Sequence, residues 1–309
     1  LATLKTNRSY LFNYLKPDGS SVQIDYNETP FTMEFDITRS AYSDANVCQI
    51  RFFNLGVATR NFIRFDFSNY GVFNQMQIRA GYGVSRPLIF AGNVSSAWSV
   101  RQGKEFITTI ECMDGSYAFT NGTASKAFVA GTPMEVIYKY LISTLPNISF
   151  GGISQNFITD SSGNQYVLQK DQTFEGNSAA ILFELTGGAF YVDLQKGYIQ
   201  GDNYLTEGDA FLVNAQTGLI GTPVKQNGRL DFEMIFEPGL QVGRQVNIQS
   251  LTAELYGQPG QEQTINGVYK SYSVKHAGII SPSVGGTATT SVEVNQGSQA
   301  LSQAGFYGN

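Results

Sequence analysis

The chain has 309 residues, enough for two or three domains. Hydrophobic residues make up 42% and charged residues only 15%, which excludes wholesale disorder and favours large permanent interfaces, poor in charge and rich in aromatics. Lys plus Arg number 20 against 25 Asp plus Glu, a net −5 with no basic run, which argues against duplex binding by phosphate neutralisation.

The first stretch, through about residue 115, reads as strands. SVQIDY and FTMEFDITRS alternate with period 2, and ANVCQIRFF is rich in β-formers. NLGVATRNFI interrupts with apolar residues near helical spacing, predicting a short helix. Strands resume with NQMQIRAGYG, LIFAGNVSSAWSV and FITTIECMDG. From about residue 116 the texture becomes α+β. Thr132-Pro133-Met134-Glu135 predicts a capping box with Thr132 at the N-cap, followed by an apolar stripe of Val136, Ile137, Tyr140, Leu141 and Leu145. A second helix is predicted at Ser178–Leu185, stopped by Gly187-Gly188. A hairpin with its turn at Gln195-Lys196-Gly197 follows. From about residue 207 strands return, and residues 296–309, ending near Phe306-Tyr307, read as a tail that orders on a partner.

The outer stretches carry a faint repeat. Gln75-Met76-Gln77-Ile78 matches Gln245-Val246-Asn247-Ile248. Trp98-Ser99-Val100-Arg101 then matches Tyr272-Ser273-Val274-Lys275, and Thr108-Thr109 with Glu111 matches Thr289-Thr290 with Glu293. Upstream, IRFF at 50–53 parallels MIFE at 234–237, which makes NLGVATRNFI an insertion in the first copy. The rival reading is chance, since β-proteins share such strings. Duplication gives a mainly β fold with an α+β insert: two tube-like β-barrel domains, 1–115 and 207–295, flanking a smaller α+β domain at 116–206.

Chemistry finds little support. His276 is the only histidine, so any Ser–His–Asp or Cys–His site must use it. It sits in a strand-like run without a nucleophile elbow, and a strand-surface or interface position is the expectation. The histidine count excludes histidine-rich zinc chemistry, the two cysteines (Cys48, Cys112) are too few for a Cys-rich zinc site, and no phosphate loop is present. The two cysteines also point to a reducing, cytoplasmic place of folding. The expectation is no metal and no cofactor. Glu111 with Asp114, and Asp231 with Glu233, are acid pairs that a wall hydrolase would need. A carbohydrate-binding module would expose aromatics such as Trp98, whose apolar neighbours Ala97 and Val100 instead predict burial.

The ordered set IRFFNLGVATRNFI, IRAGYGVSRPLIFAGNVSSAW, FITTIECMDG, LVNAQTGLIGTPV, FEMIFEPGLQVGRQVNIQS and NGVYKSYSVKHAG resembles the central baseplate hub protein of contractile-tailed bacteriophages. The resemblance implies a non-enzymatic structural protein of the virion, assembled in the host cytoplasm. It implies a homotrimer whose six tube-like barrels make a pseudo-sixfold ring between the tail tube protein and a trimeric spike protein, beside other baseplate proteins. Tape-measure protein and DNA would pass through the ring without specific binding. Alternation then places Met76 and Ile78, or Val246 and Ile248, inside each barrel. Gln75, Gln77, Gln245 and Asn247 fall on the opposite face, toward the channel or a neighbour, and Phe306 and Tyr307 are candidate partner anchors.

Overall fold

In the first stretch, buried and half-exposed positions alternate because each strand offers one face to a core. Met33, Phe35 and Ile37 form one buried row, and Cys48, Ile50 and Phe52 form the row beside it. The computed structural model describes residues 5–41, 45–65, 73–201, 210–226, 229–250, 254–255, 265–283 and 286–295. The predicted tail, with Phe306 and Tyr307, lies outside the described residues.

The elements in order are β1 (Arg8–Leu15), β2 (Ser21–Asp25), β3 (Met33–Ser40), β4 (Asn46–Phe53), α1 (Val57–Ile63), β5 (Gln75–Tyr82), β6 (Leu88–Gln102) and β7 (Glu105–Asp114). The middle stretch holds α2 (Ser116–Asn121), β8 (Thr123–Phe128), α3 (Met134–Ser143), β9 (Ser149–Ile153), β10 (Gln172–Asn177), α4 (Ser178–Thr186), β11 (Phe190–Asp193) and β12 (Lys196–Ile199). The last holds β13 (Phe211–Val213), β14 (Leu219–Gln226), β15 (Arg229–Ile235), β16 (Gln245–Ser250), β17 (Glu254–Leu255), β18 (Ile265–Ile280) and β19 (Ala288–Asn295).

The chain is mainly β. Fourteen strands join in one sheet, whose main path runs β17-β14-β15-β19-β18-β3-β4-β7-β6-β5-β1-β2, with β16 on β18 and β13 on β16. The expectation of two separate closed barrels meets a continuous open sheet, because β3 of the first stretch pairs antiparallel with β18 of the last, Met33–Ser40 against Ser273–Ile280. Three hydrophobic clusters lie beneath. One gathers β1 to β7 and takes in Phe236, Ile280 and Ala288; a second spans Ala118 to Ile199; a third spans Val213 to Val294. Each fully buried large apolar side chain in them contributes roughly 1.5–3 kcal/mol.

Local signals were met unevenly. The helix in NLGVATRNFI forms as α1, and Leu55 and Ile63 are buried. α4 begins on Asn177, whose side chain accepts from the Ala180 N–H, and ends at left-handed Gly187. The predicted Thr132 capping box is not made. α3 begins at Met134 after Pro133, while Thr132 donates its hydroxyl to Val129 O and accepts the Leu168 N–H on its carbonyl. Thr132 is thereby held in the loop by its own turn and by long-range backbone pairing. The stripe on α3 is rotated as well: Ile137, Tyr138, Leu141 and Ile142 are buried while Val136 is exposed. The hairpin turn sits one residue earlier than predicted, at Leu194-Gln195, since Asp193 pairs with Lys196.

Candidate assembly interface

The two outer stretches repeat the same strand order. β3-β4-β7-β6-β5 in the first corresponds to β14-β15-β19-β18-β16 in the last, and the copies diverge at the far edge, where β1 runs antiparallel to β5 but β13 parallel to β16. The registers agree where the central strands meet. Gln75 opposes Asn93 as Gln245 opposes Lys270, and Asn93 opposes Met113 as Lys270 opposes Asn295. Both copies carry a β-bulge at one place, between Val94 and Ser96 and between Ser271 and Ser273. After it, Ser96 faces Glu111 and Ser273 faces Glu293. α1 stands in the β4–β5 connection, and β15 reaches β16 without a counterpart helix.

The match of Gln75–Ile78 with Gln245–Ile248 therefore holds in register. Glu111 and Glu293 are likewise equivalent, while the other strings match the right strands in a slipped alignment: Ser96, not Ser99, is equivalent to Ser273. A shared Ser-Val string attracted the alignment, whereas the bulge sets the register.

Gln75, Gln77, Gln245 and Asn247 are half-buried, and Met76, Ile78, Val246 and Ile248 between them are buried. Gln77 stands in a row of uncharged amides across three strands. It opposes Asn13, which opposes Gln23, and the Gln23 side-chain amide donates to Asn13 Oδ1 at 2.8 Å. Sequence reading missed Asn13 and Gln23, because only pairing register brings them beside Gln77.

Trp98 is 40% exposed and Val100 48% exposed, contrary to the expected burial. The bulge and the length of β6 account for this: beyond Ala97 the β6–β7 hairpin extends past the core, and Trp98–Gln102 are all exposed. On the edge opposite β7, β5 pairs only up to Asn93, Val94 N–H donates to Asn74 O, and Phe65 N–H donates to Ala97 O. Beyond that bridge no described strand pairs with this edge.

A buried polar node ties the three stretches together. The buried row of β3 ends in Arg39, which is fully buried. Its guanidinium donates to Asp193 at 3.0 and 3.2 Å and to Leu240 O at 3.0 Å. Asn46, first in β4, donates to Val192 O and Asp193 and accepts the Ser40 N–H. Asp114, last in β7, accepts the Gln195 N–H at 3.2 Å on each carboxyl oxygen. Burial, reinforced by the neighbouring Asp193 charge, pushes the Asp114 carboxyl up to about 8. Burial pushes Asp193 up as well, opposed by Arg39. Spacing alone could not have found this node, whose members come from β3, β4, β7 and the β11–β12 turn.

His276 is fully buried, which corrects the expected surface or interface position. It lies on the part of β18 sandwiched between β19 and β3. Nδ1 is 2.9 Å from Thr290 Oγ1, the ring stands edge-on to Phe236, and Nε2 has no partner. Burial, with Arg39 second, holds its pKa well below the usual histidine value, so it is neutral at pH 7. The acid pairs do not converge. Glu111 is held by Ser96 at 2.6 Å and Gln49 at 3.2 Å, while Asp114 is buried under the hairpin turn. Asp231 and Glu233 are exposed on one strand face, and Asp231 opposes Glu293. Among the described residues no three His, Cys, Asp or Glu side chains are grouped to hold a metal, and no helix is long and apolar enough to cross a membrane.

The family model described as "Baseplate hub gp41" matches residues 19–255, most of the duplicated framework and all of the middle stretch. The chain belongs to the baseplate hub gp41 family. A structural role in the phage baseplate and a place in the virion tail go with that membership. The hub fold is also similar to a tail protein from Neisseria meningitidis MC58, at 10% identity and a TM-score of 0.56, over 92% of this chain and 96% of that one. It is similar to the 43 kDa tail protein of prophage MuSo2 from Shewanella oneidensis, at 8% identity and a TM-score of 0.54, over 93% and 98%. A chain of the Francisella PdpA-VgrG complex aligns at 8% identity and a TM-score of 0.51, over 95% of the hub and 59% of that chain. No curated protein matches the hub sequence.

Proposed function

We propose that three copies of this hub form a ring with six tube-like units, two per chain, that joins the tail tube to a trimeric spike. The units are the β-rich stretches 1–115 and 207–295, each closing its curvature within the ring, and the α+β stretch 116–206 is carried outside the tube-like part. The carrying observation is the junction inside one chain, where β3 of the first unit adds to β18 of the second. Such a contact is heterologous, and a heterologous contact makes a ring when its repeated rotation closes. Six equivalent positions require about 60° per step.

The reading is non-catalytic. The sole histidine is sealed in the core, and the acids named above are engaged or apart. The amide row of Gln23, Asn13 and Gln77 suits a channel wall, because uncharged donors and acceptors pass DNA and tape-measure protein without charge trapping. Gln75, Gln245 and Asn247 are proposed for the same wall or a neighbouring subunit, and Phe306 and Tyr307 for anchoring on a partner. Other baseplate proteins bind the outside, and assembly takes place in the host cytoplasm.

Mass measurement and negative-stain averages of the purified protein test the ring. A trimer with six similar lobes around a pore is the expected image; two-fold or open filamentous particles overturn it. Clearing of peptidoglycan in a zymogram, lost on substituting Asp231 and Glu233, would replace the structural reading with the hydrolase.

A further inference from the structure

The internal junction has one position filled and its equivalent open. β18 carries β16 on its first part and β3 on its second, along the same edge. β6, its equivalent, carries β5 on its first part, and no described strand pairs beyond Ala97. The strand equivalent to β3 is β14. Both lie beside the equivalent strands β4 and β15, Thr38 opposing Val47 as Gln226 opposes Arg229.

We propose that the open edge of β6, Trp98 to Gln102, takes β14 of a second copy of this chain, antiparallel and in the register the chain already uses internally. The proposal rests on the hub-ring reading and adds which edges meet and how. Lys275 opposes Thr38 and Ala277 opposes Asp36 inside the chain. Carried over through the shared bulge, Trp98 opposes Gln226, Ser99 opposes Lys225 and Val100 opposes Val224 of the neighbour, and Gln102 meets Ile220 past a β14 irregularity between Ile220 and Val224 that β3 lacks.

The side chains fit that register. At the internal junction an exposed ion pair, Lys275 with Asp36 at 3.0 Å, crosses diagonally between the strands. The equivalent residues at the open junction are Trp98 and Val224, so an apolar contact replaces the charged one. Trp98, Val100 and Ile220 are all at least 40% exposed in the single chain, and the pairing covers them together. Unpaired edges with exposed apolar residues are templates for strand addition. In the single chain β17 lies along β14 at Val224 and Lys225 in a two-residue parallel pair. The longer antiparallel β6 displaces it, so β17 is a placeholder on the assembling edge.

A chain carrying Val100→Cys with Val224→Cys tests this under mild oxidation. Six strands separate β6 from β14 within one chain, and native Cys48 and Cys112 are buried. The expected product is a ladder of disulfide-linked dimers and trimers. Val100→Cys with Lys225→Cys is expected to link at least tenfold more slowly, because adjacent residues face opposite sides. In the unsubstituted protein Trp98 is the only tryptophan, so its emission maximum moves to the blue as concentration drives assembly. A trimer by mass without the Val100–Val224 link, or with unchanged Trp98 emission, overturns the edge and register and leaves the ring standing. Absence of a trimer at every concentration overturns both.

Discussion

Arg39 is an arginine sealed from solvent, and its surroundings state what its loss does. It holds Asp193 by two hydrogen bonds and Leu240 O by a third. Replacing it with Met leaves a buried carboxylate unpaired, a change that costs about 3–5 kcal/mol. The loss is expected to be largest at neutral pH and smaller below pH 4, where Asp193 is protonated in the unfolded chain too. Urea melts of Arg39→Met at pH 7 and pH 4 check this, and equal losses at both count against it. Asp114 sets a second pH dependence. Its folded value of about 8 stands above its ordinary 3.8, so the folded state holds a proton that the unfolded state releases. Stability is therefore full below about pH 4 and falls as pH rises toward 8, by up to ~1.4 kcal/mol per pH unit. Asp114→Asn keeps an oxygen for the Gln195 N–H and is expected to flatten that slope in melts from pH 4 to 8. Little of this was legible in the sequence. Arg39 sits where alternation calls for a buried residue, but its partners lie 154 and 201 residues away. Trp98 and His276 were misread in opposite directions for one reason: a strand's local neighbours tell which face a side chain takes, not how far the sheet extends over it.

Elements were legible where the signal is local. The Gly187-Gly188 stop acts through its own backbone, and α4 ends where it is placed. The Thr132 box failed because the local turn takes its groups: the hydroxyl and the N–H both donate to Val129 O, and the Leu168 N–H holds the carbonyl. The β11–β12 turn was misplaced because its residues are not the usual ones. Leu194 and Gln195 both take the left-handed region, at φ 53° and 58°, where Asn-Gly is the common pair. Asp114 compensates by accepting the Gln195 N–H from across the core. Gln195→Gly relieves a left-handed side chain and keeps that N–H, so it is expected to stabilise by roughly 0.5–1 kcal/mol. Thermal melts decide, and a loss of stability would mean that the Gln195 side chain itself holds the turn. Gly92 works the other way. It opposes Met76 in the β5–β6 pair, and a methyl group there would lie 2.6 Å from Met113 O. Gly92→Ala is expected to force β6 from β7 beside the bulge, seen as lost amide-exchange protection at Asn93 and Met113.

At the scale of the molecule, the question is whether two similar units in one chain behave as two bodies or one. Their shared face has an exposed ion pair, Lys275 with Asp36, which contributes about 0–1 kcal/mol. The β3–β18 backbone pairing fixes register. Arg39 adds a buried hydrogen bond to Leu240 O, and the largest apolar link is Phe236, which follows β15 in the second unit yet belongs to the first unit's core. Its ring packs on Phe35 at 5.5 Å, Tyr82 at 6.1 Å and His276 at 5.5 Å, and its carbonyl accepts the Tyr82 hydroxyl at 2.7 Å. Phe236→Ala empties that space at a cost of about 3–5 kcal/mol. Because the lost contacts join the units, the substitution is expected to do more than lower the melting temperature. The intact chain should melt its two β-rich cores together, and Phe236→Ala should separate them. Scanning calorimetry is expected to resolve the second transition, while amide exchange in β15 and β19 accelerates before that in β1 and β5. A single, merely shifted transition would place the coupling in the β3–β18 backbone ladder and the Arg39–Leu240 hydrogen bond, and the proposed ring would then rest its unit-to-unit contact on strand pairing rather than on a shared apolar core.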